Sequence, residues 1–313
     1  MHKVKKKIFR RLDSVCNKNA ILASNTSYLN VNELAAQTSR APNVLGTHFF
    51  SPANVMRLLE IIRAEKCSDE TLASVMRLAK RMGKVGVISG VCPGFIGNRM
   101  LEGYFREAGF LIEEGALPHE VDKIITDFGF PMGPFAVWDL AGLDIGWRKR
   151  KAEADSRDPN ERYSTIGDRL CEMGRFGQKT QAGYYRYEEG SRIPIPDRNV
   201  EKLVFQASDD AGITRRKITK QEILTRCLYP LINEGARILE EEIAIRASDI
   251  DIIYLYGYGF PNYRGGPMFY ADTIGTGTVY DTIRKYEELH GEFWQPADLL
   301  KQLAKSNSKF TEN

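Results

Sequence analysis

Two residues twelve positions apart set the chemistry to look for. His48 stands near the end of one apolar run, Val44 to Phe49, and Glu60 sits inside another, flanked by Leu58, Leu59, Ile61 and Ile62. A carboxyl group in an apolar run needs a partner, because burying it alone is costly, and a histidine is a natural one. An imidazole exchanges a proton near neutral pH, and a carboxyl group on its other nitrogen fixes the tautomer and stabilises the imidazolium that forms. Such a pair can take the hydroxyl proton of a secondary alcohol while an acceptor receives the hydride and polar groups hold the forming carbonyl. Taken alone, a histidine before Phe49 and Phe50 also reads as a packed structural residue.

The elements that must position this pair follow from periodicity. Residues 4–17 read as a helix, with Ile8, Phe9, Leu12 and Val15 at helical spacing. The basic cluster from Lys3 to Lys7, with Arg10 and Arg11, is then the solvated face of an amphipathic helix rather than a transit peptide. Strands are expected over 20–24, 44–49, 58–63 and 84–88. Helices are expected over 30–38, with Asn30 as cap, and from Ser68–Thr71 to about Met82. This alternation implies an α/β unit with a largely parallel sheet. His48 then lies where a strand ends, the usual place for ligands in such a sheet. A hairpin-like return into the next strand would bring Glu60 beside it.

After Pro93 the pattern is helical to about Gly146. Residues 151–180 read as charged helix and 187–200, rich in Pro, Gly and Arg, as linker; helix returns from Thr219. That return reads as a repeat. Asn98-Arg99-Met100-Leu101 matches Thr225-Arg226-Cys227-Leu228, and the stretch from Glu107 to Glu114 matches Glu234 to Glu241. Val121-Asp122 matches Ile250-Asp251, and Phe128-Gly129-Phe130-Pro131 matches Tyr258-Gly259-Phe260-Pro261. Gly133-Pro134 matches Gly266-Pro267, and Asp139 and Gly142 match Asp272 and Gly275. The order is conserved with small loop insertions, which points to a duplicated helical domain. Gly265 to Pro267 lacks the lysine and hydroxyl residue of a phosphate loop and reads as a turn.

With 313 residues the chain fits two or three domains, and a 42% apolar content allows a real core. No apolar run is long enough to cross a bilayer. A formal charge of +3 gives no case for nucleic acid. Five scattered cysteines, Cys16, Cys67, Cys92, Cys171 and Cys227, have no metal-ligand spacing and suit a reducing compartment; no metal site is expected.

Around the pair stand Ile21-Leu22-Ala23-Ser24-Asn25-Thr26-Ser27, His48-Phe49-Phe50-Ser51-Pro52 and Pro93-Gly94-Phe95-Ile96-Gly97-Asn98-Arg99. With these motifs the chain resembles the L-3-hydroxyacyl-CoA dehydrogenases of fatty-acid β-oxidation. It is most similar to the long multifunctional proteins in which hydratase and dehydrogenase share a chain and the helical domain occurs twice. The resemblance implies oxidation of a (3S)-3-hydroxyacyl-CoA to a 3-oxoacyl-CoA with NAD as cofactor and an acyl-CoA as substrate. It implies His48 as general base, Glu60 as its orienting partner, Ser27 and Asn98 in contact with the substrate, and Lys5, Ser27 and Ser51 on the cofactor side. Arg175 to Tyr187 resembles the tail of the first helical domain and is expected to be structural.

The expected fold is α/β plus all-α. A partial Rossmann-like parallel sheet occupies 1–91 and two related helical dehydrogenase C-terminal domains occupy 92–188 and 217–313, joined by a linker over 189–216. The family opens with a strand, a Gly-x-Gly-x-x-Gly turn and an acidic ribose ligand, in which glycines let the backbone approach the pyrophosphate. No glycines at that spacing occur in this sequence, and Gly90 to Gly94 is interrupted by Pro93. The chain is therefore expected to lack the N-terminal half of its NAD-binding domain and to leave the strand near Ile21 as an open edge. A missing N-terminal half or a thiolase-like subunit would be its partner. The alternative function is a catalytically inactive acyl-CoA-binding or assembly module. A second helical copy is expected to cover internally the face that pairs two subunits in single-copy relatives, giving a monomer. Lys309 to Asn313 is not a peroxisomal Ser-Lys-Leu signal, which makes the expected location cytoplasmic.

Overall fold

The computed structural model describes residues 2–158 and 161–312. The chain divides into two compact units, Met1–Glu102 with Tyr229–Asn313, and Gly103–Leu228.

The first unit holds the sheet. Its strands are β1 (Leu22–Ser24), β2 (Val44–Phe49), β3 (Leu58–Ile62) and β4 (Val85–Ser89), in the order β1-β2-β3-β4. β1 pairs with β2 and β3 with β4 in parallel, whereas β2 and β3 run antiparallel. The sheet is Rossmann-like but mixed, and the antiparallel step is the hairpin-like return expected from the spacing of His48 and Glu60. Every residue of β3 is buried, so both of its faces are covered.

Helices α1 (His2–Val15), α2 (Val31–Ala35) and α3 (Asp69–Arg81) accompany the strands. The side chain of Asn30 caps α2 by accepting from Asn32 N, and Ser68 caps α3 by accepting from Thr71 N. Phe9, Leu34, Val44, Leu59, Ile62 and Val75 are among the side chains of the resulting core.

Two helical series follow. The first is α4 (Gly97–Glu114), α5 (Pro118–Phe128), α6 (Pro134–Ala141) and α7 (Leu143–Glu153), trailed by α8 (Ile166–Glu172). The stretch expected as linker contains a helix, α9 (Arg198–Asp210), started by Asp197, whose side chain accepts from Asn199 N. The second series is α10 (Lys220–Glu240), α11 (Ala247–Gly257), α12 (Pro267–Ile274), α13 (Thr276–His290) and α14 (Asp298–Ser306).

The repeat is visible in how four aspartates are used, three of them buried and Asp272 half-buried. Asp122 accepts from Phe135 N at 3.0 Å and Ala136 N at 2.9 Å. Its counterpart Asp251 accepts from Met268 N at 2.7 Å and Phe269 N at 3.2 Å. Each clamps the opening turn of the next helix, whose first amides have no partner within the helix. The glycine before each helix makes the approach possible: a Cβ on Gly133 would lie 2.3 Å from Asp122 Cα, and one on Gly266 2.4 Å from Asp251 Cβ. Asp139 accepts from the amides of Tyr184 and Tyr185. Asp272 accepts from those of Phe310 and Thr311. The Arg175 to Tyr187 segment is thus held by its backbone, as structure.

Burial pushes the Asp251 carboxyl up to about 7, against the pull of the Met268 and Phe269 amides. Its folded value lies above the ordinary 3.8, so the folded state loses stability as pH rises from about 4 to about 7. Asp251→Asn keeps one of the two accepting oxygens and removes this titration. The urea midpoint of the variant is expected to fall less than that of the parent between about pH 4 and about pH 8.

A second echo of the repeat is ionic. In the first unit Arg99 pairs with Glu234 at 2.7 Å and with Glu241. In the second, Arg226 pairs with Glu107 at 2.8 Å and with Glu114. The sequence match equates Arg99 with Arg226, Glu107 with Glu234 and Glu114 with Glu241, so the two ion-pair sets are one arrangement with the copies exchanged.

Candidate active site

The site is built on the β2–β3 ladder. His48 and Glu60 are directly opposed partners in that antiparallel pair, so their side chains leave the same face of the sheet. His48 Nδ1 lies 2.6 Å from Glu60 Oε2. Glu60 is fully buried and His48 only 5% exposed, which keeps water from competing for the bond. The other Glu60 oxygen accepts from Gly97 N at 3.1 Å, at the start of α4. With both oxygens accepting, the ring carries its proton on Nδ1 and leaves the Nε2 lone pair free to take another.

That nitrogen is already addressed. Ser27 Oγ lies 3.1 Å from His48 Nε2, with the hydroxyl as donor. Ser27 is on the loop leaving β1, at the same end of the sheet as His48. The neighbouring Asn25 accepts from Phe49 N through its side chain, which fastens this loop to β2. Asn98, the second residue of α4, follows the amide that holds Glu60, and its carbonyl oxygen accepts from the Tyr258 hydroxyl at 2.8 Å. His48, Glu60, Ser27 and Asn98 thus belong to one cluster in the first unit. Tyr258 is the member that sequence reasoning missed. It is 160 residues from Asn98, and its only signal was its place opposite Phe128 in a repeated stretch of an aromatic residue followed by Gly-Phe-Pro.

The residues expected on the cofactor side are less tightly gathered. Lys5, on α1, donates to Ser24 Oγ at 3.1 Å and to the Asn25 carbonyl at 2.8 Å, across the carboxyl end of β1. Partial burial holds its ammonium below the usual lysine range. Ser51 is exposed, just beyond β2 and before a cis bond to Pro52. An ammonium and two hydroxyls at the carboxyl ends of β1 and β2 fit the nicotinamide-ribose end of NAD, which offers hydroxyls and an amide. For the pyrophosphate end, no glycine-rich turn joins a strand to a helix among the described residues.

Among the described residues no group of three His, Cys, Asp or Glu side chains is arranged to hold a metal ion. Likewise, among them no helix is long and apolar enough to cross a membrane.

Known proteins resemble this chain over most of its length. The model for the NAD-binding domain of 3-hydroxyacyl-CoA dehydrogenase matches residues 1–91, and that for the C-terminal domain matches 94–187 and 223–312. The first match gives residues 1–91 as an NAD-binding domain. It does not support the expectation that half of this domain is lacking, which rested on one absent motif. The chain is 48% identical to the peroxisomal bifunctional enzyme of Homo sapiens, over 96% of this chain and 44% of that protein. It is 36% identical to a peroxisomal fatty acid beta-oxidation multifunctional protein of Oryza sativa subsp. japonica, over 96% of this chain and 42% of that one. The chain therefore spans less than half the length of these relatives. Among solved structures, the dehydrogenase part of multifunctional enzyme 1 from C. elegans aligns with a TM-score of 0.69 at 32% identity, covering 96% of this chain and 69% of that one. The 3-hydroxybutyryl-CoA dehydrogenase of Escherichia coli K12 shares the fold, with a TM-score of 0.81 at 23% identity and coverage of 98% and 80%. On the residues matched and the identity to these relatives, the chain belongs to the 3-hydroxyacyl-CoA dehydrogenase family.

Proposed function

We propose that this chain carries the dehydrogenase step of fatty-acid β-oxidation, converting a (3S)-3-hydroxyacyl-CoA to the 3-oxoacyl-CoA. The observation that carries the reading is the line Glu60–His48–Ser27, buried at Glu60 and His48 and half-buried at Ser27, with distances of 2.6 Å and 3.1 Å. NAD, when bound, supplies the hydride acceptor. The chain's own residues handle the proton and the oxygen. His48 Nε2 takes the proton of the C3 hydroxyl, and Glu60 holds the ring in the competent tautomer and offsets the charge that results. Ser27 and the amide of Asn98 place the C3 oxygen and donate to it as it becomes a carbonyl. Lys5, Ser27 and Ser51 hold the nicotinamide-ribose end of the cofactor. Residues 92–188 and 217–313 serve as the two helical domains, with 189–216 between them.

The match of residues 1–91 to an NAD-binding domain supports cofactor binding. The absence of glycines spaced as Gly-x-Gly-x-x-Gly favours a second reading, an acyl-CoA-binding or assembly module without turnover. The relatives are longer multifunctional proteins, which supports a setting where other domains, or a thiolase-like subunit, stand beside this dehydrogenase part. Their names favour a peroxisomal setting over a cytoplasmic one.

The test is NADH oxidation by the purified chain with acetoacetyl-CoA, run beside calorimetric titration of acetoacetyl-CoA. Turnover to the (3S)-alcohol is the expected result. Binding without turnover selects the module, and a folded chain that does neither overturns both readings.

A further inference from the structure

The Tyr258 hydroxyl has a more particular task than packing. It donates to Asn98 Oδ1 at 2.8 Å. A primary amide has nearly the same shape either way round, so its partners decide which end faces which way. With Oδ1 engaged by a phenol, Nδ2 and its two hydrogens point to the other side.

The phenol is itself held in place. Its ring stacks on Tyr254 at 4.9 Å and meets Phe50 edge-on at 5.4 Å, and Phe50 in turn lies 4.6 Å from the His48 ring. Gly97 makes room for it: a Cβ there would lie 2.4 Å from the Tyr258 ring and 2.5 Å from its hydroxyl oxygen. Burial pushes the phenol well above its usual range, so it stays a donor.

The repeat supplies a comparison inside the molecule. The position matching Tyr258 in the first copy is Phe128, which has no hydroxyl, and the position matching Asn98 in the second copy is Thr225. The hydroxyl is present only in the copy whose tyrosine reaches Asn98, and the ring alone satisfies the packing of the other.

We propose that Tyr258 is a positioning residue for the dehydrogenase reaction: it holds the Asn98 amide so that Nδ2 donates to the C3 oxygen of the substrate. This rests on the reading of the site as a 3-hydroxyacyl-CoA dehydrogenase. The second helical copy thereby contributes to the chemistry through Asn98, without touching substrate itself.

The test is Tyr258→Phe, which leaves the residue the first copy already carries. Two readouts are used. One is the infrared stretch of the C3 carbonyl in isotopically labelled acetoacetyl-CoA bound without cofactor, which falls in frequency when an amide donates to it. The other is the division of the loss between kcat and KM. The variant is expected to bind acetoacetyl-CoA within about twofold of the parent, to lose part of the carbonyl shift, and to lose between about tenfold and about a hundredfold in kcat. Tyr254→Phe, which loses only a 3.3 Å bond to the Gly97 carbonyl, is the comparator and is expected to keep the shift. If Tyr258→Phe binds and keeps the parent's carbonyl shift and kcat, or if both variants lose the shift equally, the inference is overturned and the phenol is structural. If the parent chain does not bind acetoacetyl-CoA, the underlying reading of the site fails and takes this inference with it.

Discussion

His48→Gln is expected to lower kcat for acetoacetyl-CoA reduction by about 10²- to 10⁴-fold, with the chain still folded. Glutamine can keep a hydrogen bond towards Glu60, but no atom of it can take or give a proton at the place where His48 Nε2 stands, 3.1 Å from Ser27 Oγ. The loss belongs in kcat and in kcat/KM together, because the proton moves only in the transition state. The affinity for acetoacetyl-CoA, measured by titration, is expected to stay within about threefold, since a CoA ester is held mainly by its remote parts. A variant with the parent's rate would remove His48 from the mechanism and leave its bond to Glu60 as a packing device.

The largest expected loss of stability lies elsewhere, at Arg226. Its guanidinium is fully buried, with Nε 2.8 Å from Glu107 Oε2 and Nη2 3.0 Å from Glu114 Oε1. Glu107 is 1% exposed and Glu114 8%. Arg226→Ala leaves two buried carboxyl groups facing a void, and the expected cost is about 3–5 kcal/mol in urea unfolding. Arg99, the matching residue, is 18% exposed, and Arg99→Ala should cost less because water can reach what it leaves behind. The pH dependence gives an internal check. Burial pushes Glu114 up, but Arg226 and Arg162 outweigh it and hold the carboxyl at about 2, below the ordinary 4.5. A lowered folded value means stability that is fully present above about 4.5 and lost as pH falls towards about 2. The penalty of Arg226→Ala should therefore be greatest near neutral pH and shrink in acid. A deficit that is independent of pH would assign the effect to the cavity alone.

The strands and the pair they carry were legible because both obey local rules. The span of β2, Val44–Phe49, is the apolar run itself. His48 and Glu60 could be matched because a short antiparallel return is the simplest way to partner a carboxyl in an apolar strand. Asn30 and Ser68 cap helices as their types predict. The repeat was legible as an order of matches, but the work of Asp122, Asp139, Asp251 and Asp272 was not. Each reaches backbone amides 13 to 46 residues away, and no local pattern reports such a bond. α9 was hidden because its charged face and the Pro- and Gly-rich approach to it look like a linker. Tyr258 was invisible for the same reason as the aspartates, since its partner is set by the fold and not by spacing.

The interleaving of the first unit has a consequence for how the protein is made. Its sheet is complete at Ser89, but α11, which packs on β3 and β4, and the Ile243 carbonyl that accepts from Gly90 N at 2.7 Å come from the far end of the chain. During synthesis the ribosome must therefore finish the whole second unit before the helix that packs on β3 and β4 emerges. Until then an apolar surface and a half-assembled site wait in the open, the condition in which nascent chains meet chaperones or one another. A stalled or shortened message would yield a sheet that has its histidine and its glutamate but no cover.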